Sequence, residues 1–367
     1  MRAVVYRGAN DLHLETLPVP AIRSGELLVK VAVCGVCPTD IKKIHYGTVP
    51  PPRIFGHETA GTIVAIGTGV NRFQAGERVA LHHHVPCLKC HACRHHAFAQ
   101  CAQYKQTGIT AGFEPAGGGY AEYVRVMKSV LPGVVRIPAR NSFLEGAMLE
   151  PVNTVLKAVK KLQLLPGDTV LVAGQGPIGL MFTRLLALKG INVVATDLLE
   201  SRLRLAKRFG AKYVFQVDGP QSSVSNPQSR VQTRKTTGNL GELVQQVTSK
   251  RGLDAAVIAV PSDAVTRQAQ ELVRGGGQVL LFSHTRRGDK AELDLSTICV
   301  DEKDLIGSYS ADFRLQSEVA RIVFSRKLDT RQLITHQFPL EQTAAAIQLV
   351  ANPTDSSLKV VVNQELP

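Results

Sequence analysis

Four thiols crowd into one short stretch: Cys87, Cys90, Cys93 and Cys101 follow a C-x2-C-x2-C-x7-C spacing. This spacing closes a tetrahedral all-thiolate site around zinc, and four thiolates leave no vacancy for a substrate. The cluster therefore reads as a structural metal site. The remaining cysteines, Cys34, Cys37 and Cys299, are dispersed, and the opening MRAVVYRGAN has no apolar stretch ending in a small-residue cleavage site. Reduced thiols in a cytoplasmic protein fit this pattern better than a disulfide framework.

A second set of residues is more scattered. Cys37 lies in CGVCPTD, His57 and Glu58 in GHETAG, and Glu150 in MLEPVNT. A thiolate, an imidazole and a carboxylate suit zinc, and three protein ligands leave the open position that catalysis needs. Taken singly, each has an ordinary reading: Cys37 as a small buried residue, His57 as a core hydrogen-bonder, Glu150 as a helix-start acid. The run His82-His83-His84 invites a third metal site, but successive side chains on a strand point to opposite faces, which argues against it.

The third motif is Gly174-Gln175-Gly176-Pro177-Ile178-Gly179, set between the apolar run DTVLVA and a helical pattern. In a G-x-G-x-x-G turn the first glycine permits the bend, the second lets the backbone approach a pyrophosphate, and the third allows close helix packing. Asp197 closes the next strand, INVVATD, where a carboxylate can accept hydrogen bonds from an adenosine ribose. A 2′-phosphate would meet that carboxylate, so NAD is expected over NADP. Nearby Arg202 could turn towards such a phosphate and partly offset the repulsion.

Elements able to position these residues are legible around them. The first part of the chain alternates β-branched residues with Gly and Pro in LLVKVAVCGV, AGTIVAIGTGV and YAEYVRV, as in an irregular β-rich domain. From Pro166 strands and helices alternate: DTVLVA, INVVATD and DAAVIAV are each followed by a helical pattern, with KYVFQV and GQVLLFS as further strands, which predicts a doubly wound parallel sheet. A strand at DLIGSYS, helices through LQSEVARIVFS and LEQTAAAIQLV, and a strand LKVVV follow. The polar tract between Val217 and Leu240 reads as an exposed loop.

With 367 residues the chain is long enough for about two domains. Its formal charge is +13, yet the basic residues are dispersed and carry no nucleic-acid-binding signature. A basic surface favouring an anionic cofactor explains the charge, so neither nucleic acid nor membrane is expected as a partner.

From about Val31 to Val362 the chain resembles the zinc-dependent medium-chain alcohol and polyol dehydrogenases, on the strength of GVCPTD, GHETAG, the four-cysteine lobe, GGYAEYV, LEPVNT and GQGPIG. The resemblance implies an α/β protein: a GroES-like catalytic domain over 1–151 and 310–367, with its zinc lobe near 82–105, and an inserted Rossmann domain over 152–309. It implies two zinc ions per chain, the catalytic one held by Cys37, His57 and Glu150, with Glu58 exchanging on and off the metal. Thr39 matches the proton-relay hydroxyl, Thr154 a nicotinamide contact, and Lys359 a basic residue at the pyrophosphate. Many relatives carry a relay histidine where this chain has Lys42, and His45 could take its place. Leu88 stands where a lobe glycine is common, which should change a turn.

The implied activity is NAD-linked oxidation of a secondary alcohol or polyol to a ketone by a homodimer or homotetramer. LEP, GSYS and ITHQFPLE look closer to sorbitol, threonine and aminocyclitol dehydrogenases than to simple ethanol oxidisers. An amino alcohol is the alternative substrate. Readings from other classes are a non-catalytic zinc-stabilised binding protein or a zinc-free quinone reductase relative, both disfavoured by the joint presence of Cys37, His57 and Glu150.

Overall fold

The computed structural model describes residues 1–103, 117–218, 239–283, 288 and 290–366. Most of the tract expected to be an exposed loop, 219–238, lies outside them, as do positions 104 and 105 of the expected lobe. The chain divides into two compact units, residues 1–154 with 310–367, and residues 155–309.

In the first unit the chain begins with β1 (Arg2–Gly8) and β2 (Asp11–Thr16), which pair antiparallel, and continues into β3 (Leu27–Gly35). Val29, Val31, Val33 and Cys34 are almost fully buried, as befits a central strand. Helix α1 (Pro38–Tyr46) follows, with Cys37 at its N-cap and Pro38 in the first turn, where its fixed φ and missing N–H are tolerated. Next come β4 (Arg53–Ile54), β5 (Glu58–Ile66) and β6 (Arg78–Ala80). Short α2 (His91–Arg94) lies in the cysteine lobe, followed by β7 (Tyr123–Val126) and β8 (Val135–Arg136). Helix α3 (Phe143–Ala147) opens with a capping box between Ser142 and Glu145, and α4 (Leu149–Val159) carries Glu150 in its first turn.

The second unit alternates as its sequence predicts: β9 (Thr169–Ala173), α5 (Pro177–Ala187), β10 (Asn192–Asp197), α6 (Glu200–Arg208), β11 (Tyr213–Gln216), α7 (Leu240–Val247), β12 (Leu253–Ile258), α8 (Asp263–Leu272), β13 (Val273–Leu281), α9 (Leu295–Val300) and β14 (Asp304–Gly307). Among the described residues the sheet order is β11-β10-β9-β12-β13-β14, all parallel. Numbered from β9, this is the doubly wound order 3-2-1-4-5-6, in which β9 and β12 flank the point where the winding reverses. Every residue of β9 and β12 is buried, because helices cover both faces.

The chain then returns to the first unit through α10 (Gln316–Phe324), β15 (Ile334–Phe338), α11 (Thr343–Ala351) and β16 (Lys359–Asn363). Sheet order there is β15-β16-β3-β5-β6-β8, with β7 also on β3. Strand β16 pairs with β3 through Val362 opposite Cys34, so the end of the chain completes the sheet that carries its early residues. Among the described residues, no helix is long and apolar enough to cross a membrane.

At the end of β9, Gly174 takes a φ of +90°, the bend that glycine permits. A Cβ on Gly179 would lie 1.7 Å from the Gly174 carbonyl oxygen, whereas a Cβ on Gly176 would meet nothing within 4 Å. The two positions therefore differ in kind: one is closed by backbone and the other is open. Gly179→Ala should cost about 1–3 kcal/mol in urea unfolding through overpacking, while Gly176→Ala stays within about 1 kcal/mol. Equal losses would show that the turn does not depend on the close approach at Gly179.

Candidate metal and cofactor sites

The register between β3 and β5 sets Gly35 opposite Glu58 and Cys34 opposite Thr59. Cys37 lies just beyond the end of β3, and His57 immediately precedes β5. One pairing of strands therefore brings Cys37, His57 and Glu58 together, with one ligand atom from each lying within 4.8 Å of the others. Gly35 is required by this approach, since a Cβ there would lie 1.8 Å from Glu58 Oε2.

His57 is buried, and its Nδ1 lies 2.9 Å from Asp40 Oδ2. The same carboxylate oxygen accepts from the Gly56 amide at 3.2 Å. Asp40 thereby orients the ring, as carboxylates do behind metal-binding imidazoles, and leaves Nε2 for an ion. Burial alone would favour neutral His57, but Asp40 and Cys37 outweigh it and raise the imidazole well above its usual range. Burial likewise opposes ionisation of Asp40, and His57 more than reverses that effect, so this carboxylate is held low. Asp40 was not among the residues singled out from the sequence, although it stands in the same GVCPTD motif.

The carboxylate grouped with Cys37 and His57 is Glu58, and Glu150 is buried with its Oε1 3.5 Å from His83 Nδ1. Burial pushes Glu150 up to about 7. Lys359 is also buried; its ammonium pairs with Glu58 and donates to the Val36 carbonyl at 3.0 Å. Its basic charge thus lies against the Glu58 carboxylate. Thr39 is half-buried on α1, and the Thr154 hydroxyl donates to the Pro151 carbonyl at 2.8 Å. His45 is exposed and its ring faces Asn10, with 3.2 Å between Nδ1 and Oδ1.

In the lobe, Cys87, Cys90, Cys93 and Cys101 also offer ligand atoms within 4.8 Å of one another. The Cys90 and Cys93 sulfurs are 3.5 Å apart, and those of Cys87 and Cys93 3.9 Å. A tetrahedral ion with zinc–sulfur bonds of about 2.3 Å sets its ligands about 3.8 Å apart, so the four thiols fit zinc as they stand. Leu88 adopts the left-handed conformation, at φ +62°, and so bears the strain of a side chain there.

In the second unit, Asp197 Oδ2 accepts from the Gln175 amide at 2.6 Å and Oδ1 from the Leu199 amide at 2.9 Å. These bonds tie the end of β10 to the glycine turn, and each carboxylate oxygen keeps a further lone pair. Arg202 lies 3.9 Å from Asp197 Oδ2. Pro177 and Ile178 open α5 directly after the turn, with Gly176 as the N-cap.

Comparison with known proteins matches this geometry to a family. Residues 23–139 match the alcohol dehydrogenase GroES-like domain and residues 177–325 the zinc-binding dehydrogenase domain. The chain is 30% identical to sorbitol dehydrogenase of Bacillus subtilis (strain 168), over 99% of this chain and 97% of that protein. Among solved structures, galactitol-1-phosphate dehydrogenase from Escherichia coli superposes with a TM-score of 0.81 at 26% identity, covering 99% of this chain and 100% of the other. A short chain alcohol dehydrogenase from E. coli CFT073, complexed with cofactor NADH, gives 0.82 at 25%, covering 99% of both chains. The matched domains, the thiolate lobe and the doubly wound sheet with its glycine turn lead to one conclusion: this chain belongs to the zinc-dependent medium-chain alcohol and polyol dehydrogenase family.

Proposed function

We propose that the protein oxidises a polyol, or a similar secondary alcohol, to a ketone with NAD as hydride acceptor. The observation that carries this reading is the convergence of half-buried Cys37 with buried His57 and Glu58, with Asp40 orienting the imidazole. The names of the relatives support the substrate class: sorbitol for the Bacillus protein and galactitol-1-phosphate for the E. coli structure. When bound, zinc supplies Lewis acidity towards a hydroxyl, and NAD supplies the acceptor for hydride.

The chain's own residues do the rest. Cys37 and His57 hold the ion, with Glu58 or Glu150 as the carboxylate partner. Lys359 restrains Glu58 by charge, and so bears on which carboxylate serves. Thr39, two residues beyond Cys37, relays the substrate's hydroxyl proton, its Oγ1 accepting that proton as its own passes outward to water. Thr154 sits beside the nicotinamide. Gly174, Gly176 and Gly179, with Pro177 and Ile178, shape the pyrophosphate turn, and Asp197 accepts from the ribose hydroxyls with Arg202 next to it. The catalytic body comprises 1–151 and 310–367, and the cofactor body 152–309.

A second copy of the chain is the expected partner. Strand β14 ends the parallel sheet, and Leu295, Val300 and Leu305 on α9 and β14 are 73%, 77% and 38% exposed. A sheet edge with apolar neighbours is a pairing surface that a homodimer or homotetramer would cover. Seven free thiols suit a cytoplasmic location.

Three measurements test these assignments. Cys37→Ser should lose one equivalent of zinc relative to wild type and at least about a hundredfold in kcat, with the lobe metal kept. Unchanged metal content by elemental analysis would sink the catalytic assignment. Cys93→Ser should instead lose the lobe zinc and lower the melting temperature by roughly 5–10 °C, a loss of a few kcal/mol. Wild-type thermal stability in that variant would remove the structural role. Finally, kcat/KM should favour NAD over NADP by about ten- to hundredfold, or about 1–3 kcal/mol, and Asp197→Ala should erase most of that preference. An unaltered ratio would show that Asp197 does not read the ribose.

A further inference from the structure

Strand β6 ends at Ala80, and the chain through His82, His83 and His84 is irregular. The alternation of a strand, which would send neighbouring rings to opposite faces, therefore does not operate here. All three side chains turn into the interior of the first unit, with exposures of 0%, 4% and 1%. Their ring centroids are 5.2 Å apart for His82 and His83, 5.4 Å for His82 and His84, and 4.1 Å for His83 and His84. One nitrogen from each lies within 4.8 Å of the other two.

We propose that His82, His83 and His84 form a further metal site, separate from the lobe and from the Cys37 group, for a divalent transition ion that favours imidazole, such as zinc or cobalt. Around a tetrahedral ion with metal–nitrogen bonds of about 2.0–2.1 Å, ligand nitrogens lie about 3.3–3.4 Å apart. One nitrogen of each ring already lies within 4.8 Å of the other two, and an ion would draw them closer. The donors are all neutral imidazoles, which selects borderline ions over calcium or magnesium, whose preferred ligands are oxygens.

The surroundings resemble those of metal-binding histidines elsewhere. Ligating imidazoles commonly turn their second nitrogen to a carboxylate or another polar group. His83 Nδ1 lies 3.5 Å from Glu150 Oε1, a longer approach than the 2.9 Å between His57 Nδ1 and Asp40 Oδ2. The Ser310 hydroxyl lies 3.3 Å from His83 Nε2. The His83 and His57 rings are 5.5 Å apart, so this site adjoins the Cys37 group without sharing its donors. Three interior imidazoles at such spacing have a shared purpose as ligands that they lack as packing, because each imidazole carries polar atoms that an apolar residue would not.

The test is a metal count on the full-length protein, dialysed against excess Zn2+ and then against metal-free buffer. Wild type should retain three equivalents, His82→Gln and His84→Gln two each, and Cys37→Ser with His84→Gln one. A wild type that saturates at two equivalents, neither of them lost in His84→Gln, overturns the proposal, as does a third equivalent that persists in both histidine variants. If the two-equivalent protein loses one with Cys37→Ser and none with His84→Gln, only this site falls and the catalytic reading stands. The converse pattern retires the catalytic reading and keeps this site. Should the variants fold poorly, Co2+ loaded into wild type decides independently. A third equivalent that adds visible d–d absorption but no thiolate charge-transfer band supports an all-imidazole site, and the absence of any third absorbing equivalent refutes it.

Discussion

The structure depends on keeping a dense group of charges away from water in the interior of its first unit. Asp40, Glu58 and Glu150 are buried there with the Cys37 thiol close by, against His57 and Lys359. Removing any one such ion from water costs several kcal/mol, and only partners at contact distance offset that cost. Here two partners are specific, Asp40 with His57 and Glu58 with Lys359, while burial pushes Glu150 up to about 7, towards its neutral form. Acids and a thiol outnumber the two cations, and a divalent ion among them redresses that balance. The scaffold serves this arrangement. The antiparallel register of β3 and β5 places the donors, and β16 brings in the compensating ammonium.

The second unit works on backbone in place of buried charge. Its glycine turn is tied to Asp197 through the Gln175 amide, so the residue proposed as the ribose reader also braces the turn proposed to hold the phosphates. In the lobe, by contrast, four sulfurs at zinc spacing act almost alone, around a small cluster of Cys93, Phe98 and Cys101. Leu88 holds an unfavourable φ in that setting, between two of the clustered thiols, Cys87 and Cys90.

What was legible in the sequence follows from how local each feature is. The lobe spacing, the glycine turn and the alternating strands of the second unit are set within a few residues or one βαβ unit, and their residue types alone expose them. The separate placing of Glu58 and Glu150 was not legible, because it depends on where two side chains from β5 and α4 turn inside one interior. The expectation that three successive histidines must diverge failed for a related reason: periodicity holds only where a strand continues, and β6 stops at Ala80. Helix α7, LGELVQQV, was passed over because it follows directly on the polar tract. The pairing of Lys359 with Glu58 was out of reach too, since nothing short-range links positions so far apart.

That last pairing has a consequence for how the protein is made. Lys359 and the Val36 carbonyl it binds are 323 residues apart, and β3 obtains its β16 neighbour only from the far end of the chain. During synthesis the second unit, whose sheet is drawn from one continuous segment, can form while β3 still lacks that neighbour. The acidic interior of the first unit meanwhile waits without its ammonium. Metal capture and charge compensation thus become late events in biogenesis, and a ribosome that stalls in the last stretch of the message would leave a folded cofactor body attached to an unfinished centre.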